Sequence, residues 1–181
     1  MGDKNNLNND DEYLKEIEQN YEREYGVPQS TSIVVRGALL QCSCGTHCRR
    51  LNLEQSNGEY ANDDTHHPLM HDHNCIDTGA YPNITYYGVC KSETPPENAS
   101  DITLEPYIWP DGTKTSESKI TGKKCIPEIL GKYWLNPNKE DKIKDLDDGK
   151  EYACITTGSY LVCRNGGIIQ IMESGQEFVD Q

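Results

Sequence analysis

The sequence predicts a mainly β protein, a compact and turn-rich cone or sandwich preceded by an N-terminal helical extension. Three observations carry that reading. Fifteen Gly and nine Pro among 181 residues mark many turns and leave little room for long helices. Short apolar and β-branched runs end repeatedly in Gly or Cys. The core is lean, with 34% hydrophobic residues, a mean hydropathy of −0.80, and one Phe beside eleven Tyr. A body this lean calls for a staple, which disulfides, a metal or an obligate partner can supply.

Taken in order, residues 1–9 (MGDKNNLNN) are polar and are expected to be disordered. Asp10 to Tyr25 reads as a helix, with Asp10 as N-cap and acidic residues in the first turn. Leu14, Ile17 and Tyr21 share one face, Tyr25 continues it, and Gly26 and Pro28 stop it. That stripe is a candidate either to pack on the main body or to bind a partner. It is narrow enough that residues 1–30, an acidic extension, are expected to be dispensable for folding.

Residues 31–181 form the β body. TSIVVRGALL (31–40) and Leu51–Leu53 are strand-like, and 152–173 reads as two strands, YACITTGSYLVC and IIQIME, about a turn at Gly166–Gly167. Residues 56–66 and 91–124 are turn-rich, with Pro95-Pro96 and Trp109-Pro110-Asp111-Gly112 as breakers. Residues 138–150 read as a solvated loop. Neither a βαβ alternation nor a phosphate-binding Gly loop is present.

Charge narrows the function classes. Seventeen basic residues against thirty acidic ones leave a net charge of −13, which disfavours nucleic acid and anionic membrane surfaces as partners. Residues 1–30 hold no uninterrupted apolar run, so neither a secretory signal nor a membrane anchor is expected. A chain made in the cytosol keeps its Cys reduced.

An internal echo organises the body. Gly37-Ala-Leu-Leu-Gln-Cys42-Ser-Cys-Gly45 superposes on Gly158-Ser-Tyr-Leu-Val-Cys163-Arg-Asn-Gly166 as G-[AS]-x-L-x-C-x-x-G. A duplication would make Cys42 and Cys163 the ends of equivalent strands pointing to one centre.

Eight Cys and five His accompany it. Cys42, Cys44, His47 and Cys48 form one dense cluster, and His66, His67, His71, His73 and Cys75 another. On a strand, His71, His73 and Cys75 would share a face. Three readings stay open: a structural zinc site, disulfides, and buried free thiols, with Cys154 the first candidate for the last. Regular zinc-ribbon knuckles are absent, so no ligand set follows from spacing alone. No H-E-x-x-H or comparable pattern points to catalysis, and a zinc- or thiol-dependent enzyme is the minority reading.

The stretches VVRGALLQCSCGTHCRRLNL (34–53), NITYYGVCKS (83–92), KKCIP (123–127) and ITTGSYLVCRNGGIIQIMESGQE (155–177) resemble the PAAR-like family, long catalogued as a bacterial domain of unknown function. The resemblance spans about residues 33–177. It implies a β cone of PAAR-like type that caps the trimeric spike protein (VgrG-like) of a type VI or phage-tail-like contractile injection apparatus. It further implies a structural Zn2+, cargo effectors or adaptors as partners, and export with the machine after assembly in the cytoplasm. By resemblance the metal positions are Cys42, Cys90, Cys125 and Cys163, with Cys44 and Cys75 as an additional pair. His71 and His73 are alternatives, although the His-rich stretch departs from the family pattern. A tip protein of this kind is not an enzyme.

Overall fold

The computed structural model describes residues 3–30, 32–63, 65–109 and 111–177. The described residues are mainly β, with one α-helix, a short 3-10 turn at Ala61–Asp63 and several small antiparallel sheets. Helix α1 spans Asp3–Tyr25. It begins seven residues before the expected cap, so the polar run 3–9 is helical rather than disordered, while residues 1 and 2 lie outside the described residues. Asp10 is no cap: it sits within the helix, and its carboxylate accepts two hydrogen bonds from the Arg164 guanidinium.

Strands β1 (Leu39–Cys42), β2 (Arg49–Arg50), β7 (Tyr160–Val162) and β8 (Ile168–Glu173) form a four-stranded sheet in the order β2-β1-β8-β7. Two hairpins complete the strands. β3 (Asp101–Leu104) pairs with β4 (Ile120–Lys123), and β5 (Asn138–Lys144) pairs with β6 (Glu151–Cys154).

Several expected strands moved. Only the end of 31–40 enters a regular strand, because Ile33 and Val35 make isolated bridges to Thr156 and Leu69. The run 152–163 is two strands in different sheets, β6 and β7, broken by a turn at 156–159. The turn-rich 91–124 contains the β3–β4 hairpin. Residues 138–144, read as a solvated loop, are a strand: Ile143 is its one buried side chain, and its charged residues face water. Alternation was hidden there because a single apolar residue anchors the whole run.

The central sheet has two working faces. Leu40, Cys42, Leu161, Ile169 and Ile171 point into the main core with Val34, Met70, Ile84, Tyr87, Trp134 and Ile155. The other face, through Tyr160 and Val162 and with Ile168 packed beside them, joins Leu130 and Leu135 in a second cluster under α1. Leu14 is buried there, Ile17 and Tyr21 pack against it, and Tyr21 stacks on Tyr160 at 4.7 Å. The stripe expected on the body or on a partner thus lies on the body. No described helix is long and apolar enough to cross a membrane.

Candidate metal centre

The sequence echo is a structural repeat. In the first copy Ala38 N–H donates to Val35 O and Gly45 N–H to Cys42 O, at 3.2 and 3.0 Å. In the second, Ser159 N–H donates to Thr156 O and Gly166 N–H to Cys163 O, at 2.9 and 3.0 Å. Each copy is therefore a strand held between the same two turns. Both strands pair antiparallel with β8, one on each side.

That arrangement brings their cysteines to Gly167. A Cβ at position 167 would lie 2.6 Å from Cys42 Sγ and 3.7 Å from the Cβ atoms of Cys163 and Cys44, so only Gly fits. Long-range backbone bonds bring in the remaining thiols. Gly45 bridges Cys90, Lys91 N–H donates to Cys44 O at 2.7 Å, and Cys125 N–H donates to Gly88 O at 2.8 Å.

Electrostatics follow this crowding. The Cys125 thiol hydrogen-bonds Cys42, and together with the amides of Cys44 and Gly45 it holds the Cys42 thiol below the usual range against the effect of burial. The same hydrogen bond pushes Cys125 up, with Cys90 adding to it, so Cys42 is the first of the pair to ionise. Burial raises Cys44 and Cys163, and the charge of Cys42 raises both further. Cys42, Cys44, Cys90, Cys125 and Cys163 are thus neighbours, and all eight Cys are free.

The other three have different charged neighbours. Burial and then Asp77 and Asp72 raise Cys75, which lies in the same buried core cluster as Cys42 and Cys125, with Cys44 and Cys90 packed against that cluster. Burial raises Cys48, which hydrogen-bonds Tyr107. Cys154 is buried and feels Asp141, Glu59 and Asp72.

The donor type suits a soft cation, because cysteine sulfur, once deprotonated, is a preferred ligand of tetrahedral zinc. Tyr87 adds a second point of fit. It is fully buried, it feels Cys42, Cys125 and Cys163, and its hydroxyl has no hydrogen-bond partner among the described residues. A metal-bound thiolate would give that hydroxyl an acceptor. Among the described residues no three thiols bring their sulfurs within 4.8 Å of one another. Among the described residues, the group with three donor atoms all within 4.8 Å of one another is His71, Asp72 and His73. Residues 71–75 are a turn rather than a strand, so Cys75 does not share a face with the two histidines.

The family described as a domain of unknown function, DUF4280, matches residues 34–176. The chain belongs to this family. The DUF4280 match takes in both copies of the repeat and every Cys, and leaves α1 outside it. Neither a curated protein nor a solved structure matches the chain. Within the DUF4280 domain, sequence reading missed Tyr87, Gly167 and Asp145. Gly167 was legible only as a turn residue, and Tyr87 only as one of eleven Tyr.

Proposed function

We propose that this DUF4280 protein is a PAAR-like structural tip that caps the trimeric spike of a contractile injection apparatus, and that it is not an enzyme. The observation that supports it most is the repeat: two like strands with the same flanking turns lie on either side of β8. A single chain that must sit on a threefold spike end benefits from repeated strands, since similar surfaces can meet more than one chain of the trimer.

In this reading Cys42, Cys90 and Cys125, with Cys163 or Cys44 as a fourth ligand, would hold a Zn2+ ion. Bound there, zinc supplies rigidity and folding free energy rather than reaction chemistry. The protein's own residues position the site: Gly167 leaves space beside Cys42, and Tyr87 stands ready to donate to a thiolate. The tip assembles in the cytoplasm and leaves the cell with the machine, with an effector or adaptor as possible cargo.

The docking surface falls on the strands at 33–41 and 158–172. Met172, at the end of this stretch, is an exposed apolar residue of β8. Co-purification with a trimeric spike protein encoded beside this gene should give one copy of the chain per trimer, and Met172→Glu should abolish the complex while leaving the fold intact. Three copies per trimer, or no complex with a folded chain, would count against the tip and favour an adaptor for toxin export.

A further inference from the structure

The turn at 71–74 carries donors of a different chemistry. His71 is almost fully buried, and its Nδ1 accepts the His73 backbone N–H at 3.2 Å. Nδ1 therefore bears the lone pair, and Nε2 carries the hydrogen that it donates to Asp145 Oδ2 at 2.8 Å. A histidine whose far nitrogen is fixed by a carboxylate is held in one tautomer and one ring orientation, which is how proteins prepare an imidazole ligand. His73 Nδ1 and Asp72 Oδ1 are hydrogen-bonded at 2.8 Å. One nitrogen from each histidine and one Asp72 oxygen all fall within 4.8 Å of one another.

The turn is held rigid from several sides. Asp72 N–H donates to Ala153 O at 2.9 Å, Trp134 N–H to Asp72 O at 2.7 Å, and Asn74 N–H to His71 O at 2.9 Å. Asn74 Oδ1 accepts the His71 N–H at 2.8 Å, and Trp134 Nε1–H donates to Asn74 O at 3.0 Å. The Tyr152 ring packs on both imidazoles, at 4.8 Å from His71 and 4.1 Å from His73, and its hydroxyl donates to Asp148. Asp72, Asp145 and Asp148 thus leave the place strongly negative, while His73 and Asp72 reach solvent.

We infer that His71, Asp72 and His73, with Asp145 behind His71, form a binding site for a divalent transition-metal ion, separate from the thiol group. Two imidazoles and one carboxylate suit Zn2+ and Co2+. To bind, the cation would displace the His73 backbone N–H from the His71 Nδ1 lone pair and the hydrogen-bond proton between His73 and Asp72. That proton passes to solvent, leaving further coordination positions open. This inference does not depend on the tip reading.

Cobalt separates this site from the thiols, because thiolate-bound Co2+ shows strong near-ultraviolet charge transfer and imidazole- or carboxylate-bound Co2+ does not. The full chain, dialysed against Co2+, should retain one ion that contributes only weak visible bands. His73→Ala and Asp72→Asn should each remove it, and Asp145→Asn should weaken it about 10–100-fold. A His66→Ala/His67→Ala double variant should bind it unchanged. The inference is overturned if the wild-type chain retains no such ion, or if folded His73→Ala and Asp72→Asn retain it as the wild type does. It is also overturned if the ion lost in those variants had carried thiolate charge transfer.

Discussion

Cys42 and Cys163 end strands that share the same pair of turns, and both border Gly167 across the sheet. The main-chain repeat positions the two thiols, and the missing side chain at 167 gives Cys42 its room.

Gly167→Ala should therefore be costly. The new Cβ would meet Cys42 Sγ at 2.6 Å, inside a buried part of the sheet. Overpacking of this kind costs about 1–3 kcal/mol, which thermal unfolding should register as a drop of several degrees. An unchanged transition would mean that Cys42 moves aside freely.

Zinc is the second prediction. Purified protein should contain about one zinc per chain from the thiol group, and chelation should lower its melting temperature. Ser at Cys42, Cys90 or Cys125 should lower both metal content and stability, whereas Cys48→Ser should do far less. Zinc should also be released as pH falls, since thiolate ligands must stay deprotonated. A metal-free sample of equal stability would remove the zinc assignment.

Helix α1 covers the second apolar cluster. Leu14 is 2% exposed in the cluster with Leu130, Leu135, Tyr160 and Val162. Leu14→Ala should destabilise by about 2–3 kcal/mol in denaturant unfolding. Deleting 1–30 would bare that cluster, so the truncated chain should melt lower and bind a hydrophobic dye. The narrow stripe alone suggests that the extension is dispensable, whereas the burial of Leu14 argues for a cost, and the melting of the truncated chain decides between them.

Acid should act through Asp145. Burial alone would raise its carboxyl, but hydrogen bonds from His71 and the amides of Asp148 and Asp147 outweigh it and hold the group below its ordinary 3.8. A depressed folded value contributes stability that is fully present above the unfolded value and lost as pH falls through the folded one. Asp145→Asn should therefore lower stability near neutrality and flatten its fall below about pH 4. Parallel acid-unfolding curves for variant and wild type would refute this.

Much was readable from the chain alone. Gly and Pro content, short apolar runs and the G-[AS]-x-L-x-C-x-x-G echo identified a mainly β body and the equivalence of Cys42 and Cys163. The periodicity of Leu14, Ile17 and Tyr21 identified the helix face. These are local signals, set by backbone preferences and by residues within a turn or two of each other. The tertiary structure alone decided what those segments meet. It placed α1 over Tyr160, drew Cys90 and Cys125 to Cys42, buried Cys75 in the same core cluster, and set Asp145 behind His71 from 74 residues away. It also made a strand of 138–144, whose only buried anchor is Ile143. Such pairings depend on how distant surfaces fill one another's space, and that shape is not written in the spacing of any single segment.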